Sequence, residues 1–503
     1  MSVTAEELGR AYLAGEGLPP LPRGHLIDGR FQPSVSGEEM ESFDPGLGTA
    51  FASFAAGGAD DVALAVTSAE RGLAIWRQTG PAERHRVLQT VAGLIRETSP
   101  LLSLVDTLDS GKTLSEAKGD VESAARMFDY YAAIAETLEG SEIPLSQDQI
   151  SFTRREPVGV TAHIIPWNYP TSTFARGVAP ALAAGCSVVA KPAETTPFTA
   201  LVMADLLLKA GLPAGVVNVV TGLGTAVGAP LVAHPAIRHI TFTGSVATGV
   251  TVAQAAARRV ASVTLELGGK SPLIALSDCD PDAVAQGALW AIFSNAGQVC
   301  SAGSRLIVHR SVHSAVVTRL VALTEALRVG HGLRAVDMGA INSKAQRDKI
   351  SGYVEGARAR GRNILTGGQS VRTSEACQGW FYAPTLIDDL PTDDPCVVEE
   401  IFGPVLAIQI VDSDEEALNA ANGTAFGLMA GIYSQDIGRA LAMARDLDSG
   451  QVTINDYWAG GVAVPFGGRR LSGYGREKGR EGVAAYLSTK AITVRLPASP
   501  AKA

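Results

Sequence analysis

The first clear pattern along the chain is an apolar stripe whose residues are spaced alternately by four and three positions. This spacing predicts a helix with one buried face, and Asp60 is its predicted N-cap. The residues of the stripe are Val62, Val66, Ala69, Leu73 and Trp76. Helical spacing returns over 82–97 and 114–138, whereas about the first 55 residues predict irregular chain with short strands.

From about residue 158, short β-branched runs alternate with runs rich in Ala and Leu. The predicted strands are Val158–Ile165, Ser187–Lys191, Val216–Val220, Ile240–Thr243 and Val263–Leu267, with helices predicted over 171–185 and 198–210. This order predicts an α/β fold with a mostly parallel sheet and helices on both faces. A second alternating stretch runs from near Ser271 to about 470, and Ala491–Leu496 predicts a closing strand.

Composition narrows the class of protein. The 503 residues carry a net charge of −9 without a polybasic run, which disfavours a protein that coats nucleic acid. Residues 210–237 lack charged side chains, and about 20 such residues can span a bilayer. However, their prolines and glycines predict a buried strand, a turn and a short helix. No apolar signal core precedes them, so neither a membrane span nor a secretory signal is predicted.

The five cysteines are scattered and form no CxxC pair or Cys/His cluster. This spacing predicts no metal site and no full disulfide framework. Together with the composition, it predicts a soluble, cytoplasmic protein in a reducing compartment.

Glycines follow two of the predicted strands at positions where a backbone could approach a phosphate. Gly224 and Gly228 lie in Thr221–Gly228, and Phe242-Thr243-Gly244-Ser245 follows a later strand. Two such turns in consecutive βα units favour a dinucleotide site, while a plain βα turn is the alternative for each.

Three residues are candidates for chemistry on their local context alone. Cys300 lies among small residues that leave a thiol approachable, although a buried inert cysteine is the common case. Glu266 lies between apolar residues, as a general base with a raised pKa would, or it forms a salt bridge with Lys270. Asn168 follows a strand on a turn bracketed by prolines, where its amide could stabilise an oxyanion or brace the loop.

These segments together resemble the NAD(P)-dependent aldehyde dehydrogenase superfamily, in its hydrolytic, non-acylating branch, over nearly the whole chain. They stand in the family's order: Pro166–Asn168, Lys191–Glu194, Phe242–Ser245, Glu266–Lys270, Gly297–Cys300, Glu399–Pro404 and Pro465–Gly468. The resemblance implies oxidation of an aldehyde to a carboxylic acid. Cys300 would form a thiohemiacetal and then a thioester, Asn168 would hold the oxyanion, and Glu266 would activate the hydrolytic water.

The resemblance also implies that the cofactor is NAD. A carboxylate at Glu194, beside Lys191, would bind the ribose 2′-hydroxyl and repel a 2′-phosphate, so NADP is less favoured. Ser245 would meet the pyrophosphate, and Glu400 the nicotinamide ribose. The implied cofactor contacts are Ile165, Pro166, Trp167, Lys191, Glu194, Gly224, Gly228, Phe242, Thr243, Gly244, Ser245, Leu267, Gly268, Glu400 and Phe402.

The substrate stays open between two classes. Arg176 matches the carboxylate-reading Arg of succinate-semialdehyde dehydrogenases, but their second Arg falls at Ser294, and a salt bridge in the tunnel wall is the alternative. Asp120 falls near the amine-binding carboxylate of amino-aldehyde dehydrogenases, or is a solvated acid. An aromatic or semialdehyde acid therefore stands beside an amino or betaine aldehyde. The implied substrate contacts are Arg176, Tyr169, Asp120, Phe174, Phe293, Val299, Ser301, Asp456, Tyr457, Trp458 and Phe466.

The family's architecture implies a Rossmann-type NAD-binding domain over 1–140 and 159–267, and an α/β catalytic domain over 268–470. A small oligomerisation sheet would come from 141–158 and 483–503, giving a homodimer or, by slight preference, a homotetramer. A coenzyme A-acylating enzyme or a catalytically inert NAD-binding relative would share this architecture, but the presence of Glu266 and Cys300 disagrees with both.

Overall fold

The computed structural model describes residues 3–373 and 376–497. Up to residue 157 its helices are α1 (Ala5–Leu13), α2 (Ala59–Trp76), α3 (Pro81–Glu97), α4 (Ser99–Ser110) and α5 (Leu114–Ala135). The strands of this part are β1 (His25–Ile27), β2 (Arg30–Gln32), β3 (Glu39–Asp44), β4 (Thr49–Ala55), β5 (Glu142–Ser146) and β6 (Gln149–Pro157).

The middle of the chain alternates strands and helices as predicted. Its strands are β7 (Val160–Ile165), β8 (Ser187–Pro192), β9 (Val217–Val219), β10 (Ile237–Thr243) and β11 (Ser262–Glu266). Its helices are α6 (Pro170–Ala184), α7 (Phe198–Lys209), α8 (Ala229–Ala233), which continues a π-helical turn over Gly224–Gly228, and α9 (Val246–Ala257).

The rest of the chain contains a second series of alternating elements. Its helices are α10 (Pro281–Phe293), α11 (Arg310–Glu325), α12 (Lys344–Ala359), α13 (Pro395–Val398), α14 (Asp414–Asn422), α15 (Ile437–Asp446) and α16 (Gly479–Ala484). Its strands are β12 (Pro272–Ala275), β13 (Arg305–His309), β14 (Asn363–Thr366), β15 (Ser370–Thr373), β16 (Ala376–Tyr382), β17 (Thr385–Asp388), β18 (Val405–Val411), β19 (Phe426–Gly427), β20 (Met429–Tyr433), β21 (Gln451–Ile454), β22 (Arg469–Arg470), β23 (Gly473–Tyr474) and β24 (Leu487–Arg495).

Two predictions near the amino terminus are wrong. The irregular opening contains α1, which begins at a capping box between Thr4 and Glu7 that the sequence already held. Asp60 is not the N-cap of α2 but a residue of its first turn. Gly58 takes the N-cap position, and its backbone N–H donates to Asp61 at 3.0 Å.

Two mostly parallel sheets organise the chain. The first has the order β2-β1-β9-β8-β7-β10-β11-β23 and is parallel from β9 to β11, and the second has the order β14-β17-β18-β13-β12-β20-β21. A third, antiparallel sheet joins β24 to β6 and β5. The α/β fold class is confirmed. The domain boundaries stay a prediction, and residues 498–503 of the last predicted segment lie outside the described residues.

Both faces of each large sheet are covered, as a parallel sheet requires. In β8, Val188 packs into one apolar cluster with α3, α5, α6 and α7, while the next residue, Val189, packs into another with α2 and α9. In the same way, Leu273 and Ile274 of β12 pack into two different apolar clusters, one on each face of the second sheet. In the parallel pairing of β10 with β11, the last residues, Thr243 and Glu266, lie opposite each other. Functional residues that follow different strands therefore meet at one edge of the sheet.

The uncharged stretch over 210–237 folds as predicted into β9, the turn and α8. Across the part of the chain that the structure describes, no helix is both long and apolar enough to cross a membrane.

The contact of α2 with the turn before β9 requires glycine at position 72, because a Cβ there would lie 2.3 Å from the carbonyl carbon of Gly215. We expect Gly72→Ala to destabilise the fold by about 1–3 kcal/mol through overpacking. Gly93→Ala in α3 is the matched control, because its Cβ meets nothing within 4 Å and helix propensity favours Ala by about 1 kcal/mol. Thermal unfolding measures both, and equal Tm values would contradict the close contact.

Candidate active site

Cys300 follows a loop whose backbone is held in a sparsely populated conformation. Asn295, Ala296 and Gly297 have φ values of 48°, 52° and 71° in succession, a region that costs free energy for residues with a side chain. A Cβ on Gly297 would lie 2.1 Å from the Gly403 carbonyl oxygen, so glycine is required there. Loops of this kind persist only where surrounding contacts determine them.

Those contacts come from three other parts of the chain. The Asn295 backbone N–H donates to Glu116 of α5 at 2.6 Å, and its side-chain amide donates to the Asn168 carbonyl at 2.9 Å. The Asn168 amide in turn donates to the Gln298 carbonyl at 2.8 Å. The Gln298 side chain accepts from the Asn342 backbone N–H at 2.9 Å. The turn after β7 and the loop before Cys300 therefore form one buried, hydrogen-bonded unit.

Cys300 is a free thiol in a largely desolvated position. Burial raises the pKa of this thiol to about 12, and the nearby carboxylates of Glu266 and Glu400 also raise it, while Arg176 lowers it. The resting side chain is therefore protonated at neutral pH.

Glu266 ends β11 with its carboxyl group buried and, among the described residues, without a hydrogen-bond partner for either oxygen. Burial, and then the neighbouring Glu477, raise the pKa of Glu266 well above its usual range. The alternative salt bridge with Lys270 is not formed. The Lys270 ammonium has no hydrogen-bond partner among the described residues, and burial lowers its pKa to about 7.

One cavity, which we call the cofactor groove, lies at the carboxyl ends of β7, β8, β10 and β11. Of the predicted cofactor residues only Gly228 is absent from its lining, since it is buried at the end of the π-helical turn. The groove is lined by Ile165, Pro166, Trp167, Lys191, Glu194, Gly224, Phe242, Thr243, Gly244, Ser245, Leu267, Gly268, Glu400 and Phe402, and also by Asn168, Glu266 and Cys300.

The groove fits NAD on several observations. Lys191 binds Glu194 at 2.9 Å, which holds at the groove wall a carboxylate of the kind that accepts from a ribose hydroxyl. Ser245 is the N-cap of α9, whose first N–H groups favour a phosphate. The buried Thr243 hydroxyl has no partner among the described residues.

Glu400 lies against the strand end that carries Glu266. Its carboxylate accepts from the Gly269 backbone N–H at 2.8 Å, and a Cβ on Gly268 would lie 2.4 Å from its Oε2 atom. A side chain at position 268 would therefore displace the Glu400 carboxylate from this position.

A second cavity, the substrate cavity, shares Cys300 with the cofactor groove. Of the predicted residues, Asp120, Tyr169, Arg176, Val299, Ser301, Trp458 and Phe466 line it. The remaining predicted residues do not line it. Phe174 and Phe293 lie in apolar clusters, Tyr457 is buried with its hydroxyl donating to the Ser301 carbonyl at 2.8 Å, and Asp456 is exposed and accepts from the Trp458 backbone N–H.

The charged residues that were predicted to contact substrate in this cavity both have protein partners. Asp120 forms an ion pair with the buried Lys112, which also contacts Asp106. Arg176 forms an ion pair with the buried Glu477 and lies 5.1 Å from the centroid of the Phe466 ring. The structure thus contains the tunnel-wall salt bridge that was the alternative for Arg176.

Sequence reasoning missed several lining residues, of which some are neighbours of predicted residues and others come from distant segments. In the substrate cavity these are Ser123, Ser172, Met429, Gln451, Ala459, Gly461, Val464 and Lys478. In the cofactor groove they are Ile164, Ala193, Thr248, Gln346 and Lys349. Gln346 and Lys349 stand one turn apart on α12, a helical spacing visible in the sequence, but nothing local shows that this face meets the groove. Among the described residues no group of three or more His, Cys, Asp or Glu is placed to hold a metal ion.

A groove for a dinucleotide at the carboxyl edge of a parallel sheet, joined to a second cavity at a thiol, is the arrangement of an α/β oxidoreductase. The model of the aldehyde dehydrogenase family matches residues 31–492, and the chain belongs to that family. It is an enzyme that oxidises aldehydes with NAD, as the resemblance implied.

Named relatives are similar over almost the whole chain. The chain is 38% identical to 4-trimethylaminobutyraldehyde dehydrogenase A of Danio rerio, over 93% of this chain and 92% of the relative. It is 39% identical to betaine aldehyde dehydrogenase 1 of Oryza sativa subsp. japonica, over 94% and 95%. An NAD⁺ complex of an aldehyde dehydrogenase from Bacillus cereus superposes with a TM-score of 0.92 at 37% identity, covering 94% of this chain and 97% of the other.

The raised pKa of Cys300 predicts the pH dependence of its alkylation in the NAD-free enzyme. Only the thiolate reacts, so a thiol with a pKa of about 12 should be alkylated by iodoacetamide about tenfold faster for each unit of pH between about 7 and 9. Mass spectrometry of the Cys300 peptide measures the rate, with Cys300→Ala as the blank. A plateau below pH 9 would contradict the burial effect.

Proposed function

We propose that the chain converts its aldehyde to a free carboxylic acid through a covalent intermediate on Cys300. The observation that supports this most directly is the position of Cys300, which lines both cavities, while Glu266 lines the cofactor groove and its carboxyl group has no hydrogen-bond partner among the described residues. A nucleophile and a base thus share one desolvated site.

The steps follow from the residues at this junction. The Cys300 thiol first loses its proton to water, and the resulting thiolate adds to the aldehyde carbon, so that negative charge develops on the aldehyde oxygen. The Asn168 amide carries two hydrogens, of which one is bound to the Gln298 carbonyl, so the other is available for that oxygen. Bound NAD supplies the acceptor for the hydride that the adduct then loses.

Hydrolysis of the resulting thioester requires a base. Glu266 is suited to this step because its raised pKa makes the carboxylate a stronger base than an exposed one. It can take a proton from water, and the hydroxide then attacks the thioester carbon and releases the acid and the Cys300 thiolate.

Glu266→Gln should separate the two halves of the reaction. We expect a burst of NADH close to one per active site, followed by acid release slowed about 100-fold or more, with the acyl mass retained on the Cys300 peptide. Glu399→Gln is the matched control, because Glu399 is exposed and its carboxylate accepts from the Tyr353 hydroxyl outside the groove. Unchanged steady-state turnover in Glu266→Gln would contradict the role, and product formation that requires coenzyme A would support an acylating enzyme instead.

The cofactor preference is part of the same proposal. We expect Glu194→Gln to raise kcat/KM for NADP relative to NAD by about tenfold, because removal of the carboxylate removes its repulsion of a 2′-phosphate. Glu399→Gln again serves as the control. An unchanged ratio would show that another residue sets the preference.

The substrate that the cavity supports best is an aromatic aldehyde or an aldehyde that carries an acid. Tyr169, Trp458 and Phe466 line the cavity, and Asp120, the one lining carboxylate in the described part of the chain, is already paired with Lys112. The alternative, an amino or betaine aldehyde, is favoured by the names of the two relatives. A cationic substrate would have to bind beside Arg176 and Lys478.

The proposal also covers the oligomeric state of the protein, its domain boundaries and its cellular compartment. The third sheet exposes every residue of β5, which supports pairing across a homodimer or a dimer of dimers. The two large sheets support an NAD-binding domain over 1–140 and 159–267 and a catalytic domain over 268–470. The need for a reduced Cys300 thiol supports a cytoplasmic location.

A further inference from the structure

We propose that Lys478 binds an anionic group of the substrate, so that the preferred aldehydes of this enzyme carry a carboxylate. This inference rests on the proposed function and assigns a specificity-determining role to a residue that lay outside every recognised motif. It uses the charges of the substrate cavity, the backbone at Lys478 and the position of its side chain.

The charges that line the substrate cavity are Asp120, Arg176 and Lys478. The first two are paired within the protein, Asp120 with Lys112 and Arg176 with Glu477. For the Lys478 ammonium, no hydrogen bond or ion pair occurs among the described residues. Burial and Arg176 lower the pKa of Lys478 to about 8, and the charges of Glu477 and Glu266 raise it, so Lys478 is the one lining charge without a direct ion pair among the described residues.

The backbone holds Lys478 in a strained conformation. Its φ of 58° and ψ of 176° lie in a region used almost only by glycine. Both neighbours are fixed: Glu477 exchanges backbone hydrogen bonds with Phe466 at 2.7 and 2.8 Å, and the Gly479 N–H donates to the Val462 carbonyl at 2.9 Å. The chain keeps a lysine where glycine would be unstrained, which points to a role for its side chain.

The side chain lies over an aromatic wall of the cavity. Its ammonium is 5.2 Å from the centroid of the Phe466 ring, which Arg176 also contacts. A cation on a ring face retains three N–H donors, and a desolvated ammonium without an acceptor is unfavourable. Cys300 lines the same cavity, so a substrate carboxylate could meet Lys478 while the aldehyde lies at the thiol.

This arrangement distinguishes the chain from an enzyme for cationic aldehydes. A trimethylammonium group would need an unpaired carboxylate or a free aromatic face. Phe466 already contacts two cations and Tyr169 contacts Lys112, so Trp458 is the lining ring without a cation among the described residues, and a cation bound there would share the cavity with Arg176 and Lys478. The two relatives named for such aldehydes therefore share the family's chemistry without fixing the substrate of this chain.

The test compares size-matched aldehydes with and without a carboxylate: 4-carboxybenzaldehyde with 4-methylbenzaldehyde, and succinate semialdehyde with pentanal. We expect the wild type to prefer the acid of each pair. In Lys478→Met the ratio of kcat/KM for acid over neutral aldehyde should fall about tenfold or more, mainly through KM. Lys478→Arg should keep the ratio within about threefold, and Lys490→Met, a charge removed from an exposed position on β24, should leave it unchanged.

The outcomes separate this inference from the proposed function. NADH formation with the neutral aldehydes reports on the function, and the acid-to-neutral ratio reports on Lys478. An unchanged ratio in Lys478→Met would overturn the inference while the function stands. An equal loss of the ratio in Lys478→Arg would also overturn it, because the effect would then come from the strained backbone. Tryptophan fluorescence quenching by NAD, expected to be retained, checks that each variant folds.

Discussion

The Asn168 amide donates to the Gln298 carbonyl, and the Asn295 amide donates back to the Asn168 carbonyl. This pair of buried hydrogen bonds joins the turn after β7 of the first sheet to the loop that carries Cys300. Because the loop passes through three left-handed residues, it would not keep this path alone. The position of the thiol, the orientation of the amide and the meeting of the two cavities all depend on this connection.

The same burial that assembles the site sets its protonation. Removal of water raises the pKa of both Cys300 and Glu266, so the resting pair is a thiol beside a carboxyl group with a high proton affinity. The high pKa of Glu266 makes its carboxylate an effective base. The high pKa of Cys300, in contrast, keeps the thiol protonated and so disfavours the thiolate. The nearby positive charge of Arg176 is one of the few features that favour the thiolate, and its ion pair with Glu477 keeps that charge in place.

The charges that line the substrate cavity and the cationic aldehydes in the names of the two relatives do not agree. The chain shares about two fifths of its residues with enzymes named for quaternary ammonium aldehydes. Yet Asp120 is neutralised by Lys112, and cations of two segments converge on Phe466. Substrate choice in such a site depends on a few side chains at the cavity wall, whereas overall identity reflects the shared fold and chemistry.

Local sequence determined much of this molecule. The apolar stripe from Val62 to Trp76 predicted α2, the alternating runs predicted the strands of the first sheet, and segments such as Glu266–Lys270 identified the family and NAD. These features can be recognised locally because periodicity and short motifs depend only on residues that are close together in the sequence. The helix α1 was also accessible from the capping box at Thr4, although the Gly- and Pro-rich surroundings concealed it.

Only the tertiary structure decided which charges are paired and which residues share a wall. Glu477 and Arg176 lie far apart in the chain, as do Lys478 and Cys300, and nothing in any of these segments shows that they meet. Phe174 and Phe293 match tunnel positions by resemblance, but helix packing turns them into the core. A side chain's partners depend on how whole elements pack, so burial, pairing and pKa follow from the fold and not from the neighbouring residues.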